Sequence, residues 1–270
     1  MLWQNFNTFD MGCRRESGRK LTASGAATCS MLTRTRAILL HHVRYSDNSL
    51  IAHFYTEEYG RLSVMVKGIS SRRGSARFNY FQPLNIFNTE LYYYENRELH
   101  NLKEMSLAYV PQRIYGDIQR SSVAMFISEI LHSIIREQDV NRMLFDFIES
   151  SVISLDNMTE GISNFHLWFL VAFTDYAGIG PSRTSGDGYY FDMLTGQFTP
   201  VQPMHRDFLE PQSAQVLNRL LLMPAEETGS LRLSGEERTD LITSLLKYYT
   251  LHLPGIRQIR SLQVLKDIFR

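Results

Sequence analysis

Cysteine is almost absent: two in 270 residues, Cys13 and Cys29, both within the first thirty. That excludes a disulfide framework and any C-x-x-C metal knuckle, and a cysteine-free remainder fits a reducing cytoplasm. No long hydrophobic run is present either; the longest, around Leu167–Phe173, is far too short to span a bilayer. The phosphate loops G-x-x-x-x-G-K-[ST] and G-x-G-x-x-G are missing, because Gly68 and Gly74 flank a basic stretch that no Lys-Ser/Thr follows. So is the G-x-S-x-G nucleophile elbow. Of the eight histidines (His41, His42, His53, His100, His132, His166, His205 and His252), none pair at i, i+4 on a helix, so the ligand set of a zinc hydrolase is not visible. The carboxylate pairs Glu57-Glu58 and Glu236-Glu237 fall at a turn and a helix start, where acids belong for structural reasons. No enzyme, no cofactor and no metal is expected.

Net charge is also lacking, with 28 Lys/Arg against 28 Asp/Glu, but the balance is uneven along the chain. Residues 31–110 hold ten Lys/Arg against seven Asp/Glu, a net of +3; residues 111–270 hold fourteen against nineteen, a net of −5. Acid is missing altogether from Tyr59 to Thr89, while Arg61, Lys67, Arg72, Arg73 and Arg77 are all basic. Residues 61–67 alternate as a half-buried strand does, with Leu62, Val64 and Val66 on one face and Ser63, Met65 and Lys67 on the other. Such a strand delivers an Arg-rich, Gly/Ser-loosened loop, a way to present cations to a phosphate backbone. The bland alternative is a solvated surface loop.

Residues 1–30 have no helical or strand period and no apolar core for a signal peptide. A start codon called too early and a disordered tail are the two explanations; in either case the segment is expected to be dispensable. From Met31, five strands are expected at 35–43, 50–55, 60–67, 84–94 and 99–105, with a turn at Glu57–Gly60. Short strands at this spacing predict a small closed barrel of the OB type over residues 31–108. The consecutive Tyr92, Tyr93 and Tyr94 point to alternate faces, so at least one is expected exposed, where a base can stack; ordinary strand tyrosines are the alternative.

From Pro111 the period turns helical. Three apolar stripes run over Val123–Ile134, Leu144–Leu155 and Phe165–Tyr176, the third apolar on all sides and hence the central helix. Gly178-Ile-Gly-Pro181 ends it. An irregular insert near 181–203 is expected to form an aromatic hairpin turning at Leu194–Gly196, with Phe191 opposite Phe198. Helices resume near Gln212–Leu222, then behind a capping box at Ser234–Glu237, then over Ile259–Phe269. The fold class expected is α+β: an OB barrel followed by a helical domain over 109–270.

Three stretches together resemble the RecO family: Ala37–Leu40 through Arg44-Tyr45 to Thr56–Leu62; Val66-Lys67-Gly68 with the basic loop and Phe81–Leu84; and Tyr248–Gly255 with Arg260–Leu265. The resemblance spans residues 31–270. It implies a cytoplasmic protein, at the nucleoid during repair, that binds single- and double-stranded DNA, anneals complementary strands and helps RecA replace the single-strand-binding protein, with RecR as partner. By the basic-loop argument and this resemblance, Arg44, Arg61, Lys67, Arg72, Arg73 and Arg77 are the candidate DNA contacts. Arg136 and Arg142 are candidates for receiving the acidic C-terminal tail of the single-strand-binding protein. One departure is plain: many members carry four zinc-binding cysteines after the central helix, and this chain has none there. An RNA-binding or protein-interaction scaffold without annealing activity is the alternative reading.

Overall fold

Period-two patterning at the N-terminal end builds five strands: β1 (Ser30–Ser46), β2 (Ser49–Thr56), β3 (Gly60–Lys67), β4 (Ile86–Tyr94) and β5 (Leu99–Leu107). The computed structural model describes residues 30–69, 80–136, 139–183 and 188–270; Arg72, Arg73, Arg77 and the segment 1–29 lie outside them. The strands close into a barrel in the order β1-β2-β3-β5-β4, every neighbour antiparallel except the parallel β3–β5 pair. Closure depends on the length of β1. Its first half pairs with β4, from Ser30↔Tyr94 to Ile38↔Ile86, and its second half with β2, from Ala37↔Thr56 to Ser46↔Ser49. Leu39, Leu50, Phe54, Leu62, Val64 and Phe87 fill the interior. The five strands fall where the alternation placed them. β1 overruns the expected 35–43 at both ends, and β4 starts at Ile86 because Leu84 takes a positive φ of 63°.

Three long helices follow: α1 (Ile118–Ile134), α2 (Arg142–Asn157) and α3 (Ile162–Tyr176). Asp117 caps α1 by accepting from the backbone N–H groups of Gln119 and Arg120, and Asn141 caps α2 by accepting from Leu144. α3 is buried round its circumference, from Phe165 through Leu167, Phe169, Leu170 and Val171 to Phe173, as its continuous apolarity predicts. The insert pairs β6 (Tyr190–Asp192) with β7 (Gln197–Thr199), Phe191 opposite Phe198 with ring centroids 5.0 Å apart. A third strand, β8 (Phe208–Leu209), joins on the other side of β6, so the expected hairpin is an edge of a three-stranded sheet. The chain ends with α4 (Pro211–Leu222), a 3-10 turn (Ala225–Ser230), α5 (Gly235–His252) behind the Ser234/Glu237 capping box, and α6 (Ser261–Ile268). Among the described residues, no helix is long and apolar enough to cross a membrane.

Barrel and helices share one core. Ile38, Leu40, Tyr55, Leu84 and Ile86 project outward from the barrel wall into the same buried cluster as Phe126, Ile130, Phe145 and Phe165. Polar ties cross the joint: Ser128 Oγ donates to the Leu40 carbonyl (2.5 Å), the Tyr55 hydroxyl to that of Asn141 (3.2 Å), and ion pairs join Arg36 to Glu149 and Arg142 to Glu57. The linker after β5 is held by Asp156, whose fully buried carboxylate accepts from the Tyr109 hydroxyl and the backbone N–H groups of Gln112, Arg113 and Ile114, all at 2.8–2.9 Å.

Candidate nucleic-acid interface

At one end of the barrel, the tip of the β1–β2 hairpin and the exit of β3 are tied together. The Asn48 carbonyl accepts from the N–H groups of Gly68 (2.8 Å) and Ile69 (3.3 Å), and Lys67 lies in register with Ser49, itself opposite Ser46. The β1–β2 register shifts between Arg44 and Ser46, which makes Tyr45 an extra residue with no partner in the ladder. Bulges of this kind re-aim a side chain, and Tyr45 is 67% exposed. Arg44 and Lys67 are exposed beside it, and neither has a carboxylate partner among the described residues. Residues 70–79, with Arg72, Arg73 and Arg77, follow directly in sequence. Of the tyrosine triplet, Tyr92 is exposed, Tyr93 lies flat on the His100 ring at 4.8 Å, and Tyr94 carries the Arg97 guanidinium over its face at 4.9 Å.

The outer face of β1–β2–β3 then runs away from this end in registered rows. Val43, Ile51 and Met65 form one row; His41, His53 and Ser63 form the next. Val43 is half exposed and Ile51 and Met65 partly so. Beyond the second row the wall meets α1 and the α5–α6 connector, enclosing a cleft of about 1260 Å³.

Arg61 lies in this cleft. Its guanidinium donates to the carbonyls of His132 (3.0 Å) and Ile135, the C-terminal end of α1 where the helix dipole is negative, and to His132 Nδ1 (3.2 Å). Because a guanidinium only donates, His132 Nδ1 holds a lone pair and its proton sits on Nε2. The His41, His53 and His132 rings crowd together, centroids 4.7 Å (41–132), 5.2 Å (53–132) and 6.1 Å (41–53) apart. Burial, then the Arg61 charge, lowers His53 to about 4 and His132 to about 3. His41 and His42 are lowered as well, burial again being the main cause.

The candidate cations thus divide. Arg44 and Lys67 lie exposed at the same barrel end in adjacent rows of the ladder, Arg44 opposite Leu50 and Lys67 opposite Ser49, whereas Arg61 is committed to the end of α1. Arg136 donates to the carbonyls of Gly255 and Ser133 at the edge of the cleft, and Arg142 pairs with Glu57 at the β2–β3 turn (2.8 Å), so these two do not share a groove. Sequence reasoning treated the histidines as scattered, yet three of them meet. Tyr45 also passed unnoticed as a site residue. Among the described residues, no group of three or more His, Cys, Asp or Glu is arranged to hold a metal ion.

Residues 31–110 match the family model described as Recombination protein O N terminal, and residues 115–263 that of Recombination protein O C terminal. The DNA repair protein RecO of Phocaeicola vulgatus is 37% identical over 240 residues, covering 88% of this chain and 100% of the relative. Proteins of the same name from Bacteroides fragilis (35% over 241 residues) and Flavobacterium johnsoniae (35% over 240 residues) are covered to the same extent.

Proposed function

Since this chain belongs to the RecO family of DNA repair proteins, we propose that it is a non-enzymatic mediator that binds single- and double-stranded DNA, anneals complementary strands and helps load RecA onto DNA coated by the single-strand-binding protein. The observation that carries this reading is the barrel end where Arg44, Tyr45 and Lys67 lie exposed, the two cations without a carboxylate partner among the described residues, followed by the acid-free sequence holding Arg72, Arg73 and Arg77. Cations there take phosphates, and an exposed tyrosine offers a stacking face to any base. RecR and the acidic tail of the single-strand-binding protein are the protein partners. The working compartment is the cytoplasm, at the nucleoid during repair.

Salt titration tests the DNA site. Each single-strand phosphate contact contributes roughly −0.7 to the slope of log affinity against log salt. Arg44→Glu with Lys67→Glu is expected to weaken binding and flatten the slope by about 1.4 with no change in unfolding midpoint. Unchanged affinity and slope would move the site elsewhere. Annealing of complementary strands coated with the single-strand-binding protein separates the mediator from a passive scaffold, which would leave the strands apart.

A further inference from the structure

We propose that the cleft between the barrel wall, α1 and the α5–α6 connector is a second seat for the single-strand backbone, in which Arg136, Arg257 and the His41 imidazole contact phosphate. This rests on the DNA-binding reading above and extends it to a surface that neither the basic loop nor the family match points to.

Charge is the first argument. Arg61, Arg136, Arg257 and Arg260 all line the cleft, and none forms an ion pair among the described residues. Burial, followed by the charges of Arg136 and Arg257, lowers Arg61, so the three guanidinium groups are near enough to oppose one another. Two carboxylates face them. That of Glu129 is occupied: it accepts from the N–H groups of Arg260 and Ser261 (both 2.9 Å) and from the Ser261 hydroxyl (2.5 Å), capping α6. Glu98, from the β4–β5 turn, is exposed and makes no ion pair among the described residues. The excess is positive, in a recess where opposing charge is less screened than on an open surface.

Continuity is the second argument, and it selects nucleic acid over an acidic peptide. The Val43–Ile51–Met65 row joins the Lys67 end to the His41–His53–Ser63 row at the cleft on one sheet face. The distance from Lys67 to Ser63 is four residues of strand, about 13 Å. A bound strand of about 4–16 nucleotides, the range for one barrel of this type, extends beyond the hairpin tip, and the partly exposed apolar row offers its bases a path. An acidic tail needs only the recess, not the row leading to it.

The imidazoles give the seat a signature. His41 and His132 share the cleft with Arg61, Arg136, Arg257, Arg260 and the two carboxylates Glu98 and Glu129, and in the free protein both are lowered below their usual 6.5, chiefly by burial. A phosphate set among them reverses the sign of the local field and favours the protonated form. His132 keeps its Nδ1 lone pair on Arg61 and His53 Nδ1 lies 3.0 Å from Ser63 Oγ, which leaves the exposed His41 to take up the proton. Strand binding therefore takes up protons and tightens as pH falls through the region of 6.5; contacts made by Arg44 and Lys67 do neither.

The test is calorimetry of the full chain with an oligothymidylate of about 16 nucleotides near pH 6.5, in two buffers of different ionisation enthalpy. The wild type is expected to take up protons. Arg257→Glu and His41→Gln, both at exposed positions, are expected to lower affinity about tenfold and to reduce or abolish the uptake, with unfolding midpoints unchanged. Arg44→Glu/Lys67→Glu weakens binding but keeps proton uptake. If both cleft variants bind DNA as the wild type does and no uptake occurs, the cleft is not a DNA seat, although the proposed function stands. If Arg257→Glu abolishes binding of an acidic C-terminal peptide but spares DNA, the cleft is a peptide site and the proposal is overturned. Absence of wild-type DNA binding at any salt concentration would defeat the functional reading itself.

Discussion

Asp156 has no cationic partner among the described residues, and four donors make its carboxylate indispensable. Burial raises its pKa, but the N–H groups of Gln112, Arg113 and Ile114 and the Tyr109 hydroxyl outweigh burial and hold it below its ordinary value. Asp156→Asn turns an NH₂ group toward backbone donors and leaves at least one of them unpaired inside the molecule. The expected cost is about 3 kcal/mol, read from the urea midpoint. His166 acts in the same direction with pH. Its ring lies between Phe126 and Phe269, and burial first, then Arg238, lowers it to about 3. A folded pKa below the unfolded 6.5 means that the unfolded chain binds the proton more tightly. Stability is therefore full above pH 6.5 and is lost as pH falls below it. At pH 5 the loss from this one ring is about 2 kcal/mol, 1.5 pH units at about 1.36 kcal/mol each. His166→Leu is expected to remove that part of the acid sensitivity between pH 7.5 and 5 in urea unfolding. The residue scale was the least legible in the sequence: Arg61 read as a DNA contact because nothing local marks it as the cap of a helix seventy residues away. His132 reaches His41 only through that helix.

At the scale of elements, close approach of backbones sets the limits. Gly161 starts α3 at φ 80°, and a Cβ there would lie 2.4 Å from both the Gly229 N–H nitrogen and Thr228 Oγ1 in the 3-10 turn. Gly161→Ala therefore combines backbone strain with a collision against main chain, and about 3 kcal/mol of destabilisation is expected by thermal or urea unfolding. Most elements could be read from pattern, because period two and period 3.6 report which face is buried. The Ser234/Glu237 box and the Phe191–Phe198 pair were legible for the same local reason. The bulges were not. Extending the Leu39↔Phe54 register without a shift sets His41 opposite Ala52; the first shift brings it to His53, and a second, between Arg44 and Ser46, releases Tyr45. β8, two residues long, carries no period at all, and pairing with β6 is its sole definition.

For the whole molecule, the shared wall decides what is separable. The family matches divide the chain near residue 110, but Ile38, Leu40, Tyr55, Leu84 and Ile86 belong to the helical core. A fragment ending at residue 110 bares these side chains as one apolar patch and is expected to self-associate in size-exclusion chromatography, where the full chain does not do so through this face. Charge division was visible in the sequence because it needs only counting, whereas the cleft was not, since it requires β1, α1 and the α5–α6 connector to meet. The same wall has a consequence during synthesis. β5 ends at Leu107, and the barrel can close once it has left the ribosome, but α1, which covers the wall, ends only at Ile134. At about 5–20 residues per second, the nascent barrel carries a finished interior and a bare outer stripe for a few seconds. Chaperone capture should therefore begin with the emergence of β5 and end with that of α1, a window visible as a burst of ribosome-bound chaperone along this message.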